Sequence, residues 1–267
     1  MIKAAVLAAV LVYAGIVAIL WFAQERLLFL PQPAGPAPRP PAGWSLEDVS
    51  IRATDGTLLA GVLLKPPIDK PPLVIYFGGN AEEVTAYSGQ AAARYGPRAV
   101  VMVNYRGYGA SGGKPGETAM IADALTIHDW VMRRSDVDTA RIAAHGRSLG
   151  AGVAVRLAAA RPVRCAILTS PYDSLVAVAR SHYPWAPVGW AMRHRFDSLA
   201  AAASLRIPAL MLIGERDDIV APERSESLAR AWAGPVEFVR LAGRGHNDLD
   251  LDARYAGAVS AFLDRHL

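Results

Sequence analysis

Residues 4–23 form an unbroken run without a charged side chain, closed by Lys3 on one side and by Glu25-Arg26 on the other. About 20 residues rising ~1.5 Å each make about 30 Å of helix, the thickness of a bilayer's hydrocarbon core. Trp21 and Phe22 fall near one end, where interfacial aromatic anchors gather. The pattern predicts a transmembrane signal anchor over residues 1–26. The rival reading is a cleaved signal peptide. It calls for a shorter apolar stretch, of about 7–15 residues, and a small-residue cleavage site that residues 23–29 do not offer. Lys3 and the terminal amine favour a cytoplasmic N-terminus, with the bulk of the chain outside. Six of the eleven residues 31–41 are proline, and fixed φ with missing N–H groups excludes helix and sheet there. A Pro-rich linker over 27–43 is expected, a semi-rigid spacer holding residues 44–267 away from the anchor.

Beyond residue 44 the apolar positions change period. Alternation over 46–52 and 57–65 around Asp55-Gly56 predicts a β-hairpin. Short apolar runs follow at 73–77, 99–104, 141–145, 165–169, 209–213 and 236–241, each suited to a buried strand. Helical stretches are expected at 82–95, 117–134, 149–161, 222–232 and from about 252 onward. A hairpin followed by alternating strands and helices predicts an α/β domain around a mostly parallel sheet, whose chemistry sits at the carboxyl ends of the strands. Residues 173–205, rich in aromatics and proline, separate two core strands and are expected to form a small cap.

Composition narrows the classes. With 52% hydrophobic and 19% charged residues among 267, the chain is not intrinsically disordered. One cysteine, Cys165, cannot form an internal disulfide. The net charge of +4 is spread along the chain with no basic stripe, which argues against nucleic-acid binding. No H-E-x-x-H and no paired cysteines occur, so no metal or cofactor is expected.

The most informative stretch is Gly146-Arg-Ser-Leu-Gly150, a G-x-S-x-G between an apolar strand and an Ala-rich helix. Small residues flanking Ser148 permit a tight strand-to-helix turn that projects its hydroxyl. A serine needs a base to take its proton, and the base needs an orienting carboxylate. Asp217 follows the strand at 209–213, with Asp218 beside it as rival, and His246 follows the next strand. Two oxyanion donors should complete the set. The Leu149 backbone N–H is one; the other is expected from Gly78-Gly79-Asn80, with Asn80 preferred and Gly79 next. The glycines of Gly107-Tyr-Gly-Ala-Ser-Gly112 match G-x-G-x-x-G, but Gly113-Lys-Pro-Gly116 extends the loop where a dinucleotide fingerprint would open a helix.

Tyr76-Phe-Gly-Gly-Asn-Ala81, Asn104-Tyr-Arg-Gly-Tyr-Gly-Ala-Ser111, Gly146 to Gly150, Gly214-Glu-Arg-Asp217 and Gly245-His246-Asn247 stand in an order that resembles the α/β-hydrolases. More narrowly, they resemble the membrane-anchored group that includes the yeast Bem46-like proteins. That resemblance implies an eight-stranded sheet, a Ser148–His246–Asp217 triad and a single-pass protein, here of a bacterial inner membrane. Where the group usually has His-Gly-Asn, this chain has Gly78-Gly79-Asn80. The expected activity is that of a serine hydrolase cleaving an ester or thioester of a small-molecule or lipid-linked acyl substrate, with a depalmitoylase-like acyl-protein thioesterase or a lipase on membrane-derived substrates as alternatives. A non-catalytic membrane-tethered scaffold is the alternative from another class.

Overall fold

In the computed structural model, which describes residues 1–35 and 39–267, eight strands make one sheet. They are β1 (Ser45–Arg52), β2 (Leu58–Lys65), β3 (Pro72–Phe77), β4 (Ala99–Val103), β5 (Asp138–Arg147), β6 (Cys165–Thr169), β7 (Ala209–Gly214) and β8 (Val236–Leu241). The spatial order is β1-β2-β4-β3-β5-β6-β7-β8, with β2 antiparallel to both neighbours and every pair from β4 to β8 parallel. Every residue of β3, β4, β6 and β7 is buried, as continuous apolar runs covered on both faces require.

The helices are α1 (Ile2–Leu28), α2 (Ala91–Tyr95), α3 (Glu117–Val131), α4 (Leu149–Ala160), α5 (Leu175–His182), α6 (Val188–Ala191), α7 (Ser198–Ala202), α8 (Pro222–Ala231) and α9 (Ala253–His266). Met120 and Ile127 of α3, Val153 and Leu157 of α4 and Leu228 of α8 pack on one face of the sheet. Tyr95 of α2 with Val259 and Phe262 of α9 cover the other. From β3 the chain moves outward to β4 and then returns to lay β5 on the other side of β3. The loops leaving β3 and β5 therefore diverge at a topological switch point, where open α/β sheets form their crevices.

Four sequence expectations need adjustment. The helix expected over 82–95 starts as a 3-10 turn, Val84–Gln90, and becomes α-helical only in α2. Glu83 caps the N–H groups of Thr85 and Ala86, and Asn104 takes that of Val84, so the start is drawn to its neighbours. The strand expected to include Asn104 stops at Val103, because the Asn104 amide turns to bond Glu83. Helix α3 ends at Val131 rather than 134, and Arg134 instead makes bidentate bonds to Glu47 and Asp136. Most consequential is the linker. Phe29 is buried in the main core, Leu30 is hydrogen-bonded to Asn80 and Tyr108, and Pro33 forms a bridge with Gly109. Residues 29–33 are thus docked on the fold and do not hold it at a distance. Apolar burial of Phe29 favours this contact over an extended, solvated spacer. Residues 36–38 of the expected linker lie outside the described residues.

One buried polar group on β5 carries a pH dependence. His145 is fully buried, with Nδ1 bonded to the Tyr95 hydroxyl and Nε2 to Thr169 Oγ1. Burial, reinforced by Arg94 and Arg147, holds its imidazole well below the usual value. The unfolded chain takes up a proton below pH ~6.5 that the folded chain refuses. Stability from this group is therefore complete above that pH and declines below it, by up to about 1.4 kcal/mol per pH unit. Urea unfolding at pH 7.5 and 5.5 should show a loss of about 1 kcal/mol or more; equal stabilities would exclude a neutral His145.

Candidate active site

The turn from β5 into α4 is built on contacts that only small residues allow. A Cβ at Gly146 would overlap the Gly150 carbonyl oxygen, and a Cβ at Gly150 would overlap the carbonyl oxygens of Phe77 and Gly78. The chain therefore reverses tightly, and the α4 N-terminus presses against the end of β3. Between the two glycines Ser148 adopts φ 51° and ψ −116°, a left-handed backbone costing of order 1–3 kcal/mol for a non-glycine residue. Its own N–H is held by the Thr169 carbonyl.

His246, on the loop after β8, receives the Ser148 hydroxyl at Nε2, 2.9 Å away, and its Nδ1 donates to Asp217 Oδ2 at 2.8 Å. Asp217, on the loop after β7, is 5% exposed and His246 is 7% exposed, while Ser148 is half-buried. Burial acts to raise the Asp217 carboxyl, but the His246 hydrogen bond and the Val220 N–H outweigh it and hold the group below its usual value. Asp217 is thus a charged acceptor at neutral pH, fixing the imidazole tautomer with a proton on Nδ1. The rival Asp218 is exposed and makes no contact with His246 among the described residues. The other histidines are engaged elsewhere: His128 with the Pro162 carbonyl, His182 with the Ile219 carbonyl, His194 with the Glu117 N–H, and His266 beside Glu237.

The Gly78-Gly79-Asn80 loop lies against this turn. The Gly79 N–H is already taken by Glu82 Oε2 at 2.7 Å, which removes it as an oxyanion donor. The Asn80 N–H makes no hydrogen bond among the described residues, and Leu149, first in its helix, has no intrahelical acceptor for its own. The Asn80 side chain faces outward into structure: its Oδ1 accepts from the Leu30 N–H and the Tyr108 hydroxyl.

Residues 68–227, more than half of the chain, match the family model of Peptidase S15, described as X-Pro dipeptidyl-peptidase. The chain belongs to the α/β-hydrolase superfamily. By the same match it is a member of the S15 family; the activity in that description is the family's. Over 261 residues it is 39% identical to the uncharacterised protein Rv2307c of Mycobacterium tuberculosis, covering 95% of this chain and 92% of that one. It is 29% identical to the α/β-hydrolase domain-containing protein WAV2 of Arabidopsis thaliana, over 89% of this chain and 85% of the relative. Among solved structures, the esterase Pf2001 of Pyrococcus furiosus superposes with a TM-score of 0.69 at 20% identity, over 89% of this chain and 97% of that one.

In this α/β-hydrolase, sequence reasoning overlooked one buried cluster. Glu82 binds the Gly79 N–H, the Tyr76 hydroxyl and Arg147 Nη1, and Arg147 Nη2 reaches the His246 carbonyl and Asn247 Oδ1. One carboxylate and one guanidinium thus tie the Asn80 loop, the Ser148 turn and the His246 loop together. A glutamate beside a glycine-rich loop and an arginine inside the G-x-S-x-G were the available signals. Removing Glu82 leaves Arg147 uncompensated. Because the Arg147 side chain remains 23% exposed, Glu82→Ala is expected to cost about 3 kcal/mol, the low end for breaking a buried pair. A shift in the urea midpoint measures it.

Proposed function

We propose that this protein is a membrane-anchored serine hydrolase that cleaves carboxylic ester or thioester bonds through an acyl-enzyme intermediate. The observation that carries the reading is the continuous hydrogen-bonded line from Ser148 Oγ through His246 to Asp217. Ser148 Oγ attacks the acyl carbon as its proton passes to His246 Nε2, and the ionised Asp217 stabilises the imidazolium. The tetrahedral oxyanion is held by the N–H groups of Asn80 and Leu149, at the α4 N-terminus where negative charge is favoured. When the intermediate collapses, the carbon–oxygen or carbon–sulfur bond to the leaving group breaks, and His246 returns its proton to the departing alcohol or thiol. Water, deprotonated by the same imidazole, then releases the acid and restores Ser148.

That a solved neighbour of the same fold is named an esterase supports ester cleavage as the reading. The length and apolar character of α1 support a membrane anchor over a detached enzyme. A lipid-linked acyl donor, as in acyl-protein thioesterases, fits the same machinery. A fluorophosphonate probe should label the wild-type Ser148 and leave Ser148→Ala unlabelled. Labelling of the Ala variant at another residue would remove the assignment.

A further inference from the structure

The helix α1 is not free along its length. Residues 2–16 are exposed throughout; a first contact with the segment joining β6 to β7 comes at Tyr13, and partial cover begins at Val17. The Tyr13 hydroxyl donates to the Trp185 carbonyl, and Trp21 stacks on Trp190 with ring centroids 5.9 Å apart. Gln24 accepts from the Arg193 N–H, and Arg193 also lies over the Trp21 ring and pairs with Glu25. Between helix and segment is an apolar recess of about 190 Å³, walled by Val17, Leu20 and Leu28 on one side and Ala179, Tyr183 and Ala191 on the other.

The length of the free helix decides where this recess lies. The exposed residues 2–16 supply only about 22 Å of helix, whereas a hydrocarbon core is ~30 Å thick. To span it, α1 must use residues to about Trp21, so the segment packed along that stretch is submerged with it. That segment has the composition such a position requires. Residues 183–192 contain no charged side chain, and Tyr183, Trp185 and Trp190 are 51%, 51% and 77% exposed. Trp21 and Trp190 form an aromatic pair at the level where the span ends, with Arg193 and Glu25 just beyond it, the arrangement of a membrane interface. From Val17 to Leu28 the recess rises about 16 Å. Two residues past its upper wall, the Leu30 N–H is bonded to Asn80.

We propose that residues 183–192 are embedded in the bilayer beside α1, and that the recess between them holds the acyl chain of a membrane lipid. The inference rests on the anchored-hydrolase reading above and narrows its substrate to acyl esters drawn from the leaflet. Exposed aromatics on this segment are costly in water and favourable among lipid tails, and no other surface need cover them.

The test uses the full chain reconstituted in phosphatidylcholine vesicles. A nitroxide is placed in turn at Trp185→Cys, Trp190→Cys, Val6→Cys and, as a water-exposed reference, Arg230→Cys; the native Cys165 is buried. Collisions with oxygen and with a water-soluble nickel chelate are compared. The expected result is chelate exclusion at 185 matching that at 6, intermediate access at 190, and full access at 230. Chelate access at 185 equal to that at 230, with 6 excluded, overturns the proposal while leaving the anchor intact; access at both 6 and 185 overturns both. A second measurement reads the recess. Ala191→Phe and Ala179→Leu should each lower the ratio of kcat/KM for a dodecanoyl over an acetyl ester, by about tenfold for the larger side chain. Unchanged ratios in both variants exclude the recess as the acyl site. Absence of fluorophosphonate labelling in the wild type would instead remove the hydrolase reading and leave the depth measurement standing.

Discussion

Ser148→Ala is expected to lower kcat for an activated ester such as p-nitrophenyl acetate by about 10⁶-fold. The size follows from how the three groups act in the proposed mechanism. His246 lies 2.9 Å from Ser148 Oγ and is oriented by Asp217 at 2.8 Å, so without the hydroxyl neither partner has a nucleophile to activate. The effects are accordingly non-additive: Ser148→Ala combined with His246→Ala should be no slower than Ser148→Ala alone. Asp217→Asn should be milder, about 10⁴-fold, because the serine and imidazole remain but the wrong tautomer is favoured. If the N–H groups of Leu149 and Asn80 hold the oxyanion as proposed, some turnover above that in water should persist in every variant. Steady-state rates on purified variants check the series. A Ser148→Ala protein retaining more than about one hundredth of wild-type kcat would be incompatible with a serine nucleophile.

Gly150→Ala, a change of one methyl group, should cost at least ~4 kcal/mol, against about 1 kcal/mol gained from helix propensity in an open helix. The added Cβ would overlap the carbonyl oxygens of Phe77, the last residue of the central strand β3, and of Gly78 just past it, and backbone atoms cannot rotate aside as a side chain would. Either α4 withdraws from the sheet, opening a gap beneath Ala151 and Val153, or the end of β3 shifts and carries the Asn80 loop with it. Both responses move Asn80 relative to Ser148, so kcat should fall together with the denaturation midpoint. Gly257→Ala provides the control, because nothing lies within 4 Å of a Cβ there and α9 should gain slightly. Equal midpoints for Gly150→Ala and the wild type would mean that the turn does not press on β3 as described.

The legible part of this protein was local. Alternating and continuous apolar runs gave the hairpin and the buried strands, because side-chain period follows directly from strand geometry. That Ser148, Asp217 and His246 come together was legible because each follows a strand, and parallel strands deliver such positions to one edge. The glycines around Ser148 were legible for the same reason: backbone clearance is dictated by residue type. Gly79 was less so. Whether its N–H was free depended on Glu82, three residues on, turning back into the protein, and no pattern of polar positions conveys that rotamer.

What the tertiary structure alone decided lies in contacts between residues distant along the chain. Proline content argues against helix and strand in 31–41, yet it is blind to the pocket that buries Phe29 and to the Tyr108 and Asn80 groups that capture Leu30. The apolar run of α1 announced a helix fit for a membrane. That residues 183–192 lie beside its C-terminal half follows only from the fold, which brings Trp185 to Tyr13 and Trp190 to Trp21. Arg147, Glu82 and Asn247 likewise became a single clamp only once three strand ends met. Periodicity and steric class act within a few residues and are written in the sequence, whereas pairing of buried charges and docking of apolar surfaces depend on which elements become neighbours, and that is settled when the sheet closes.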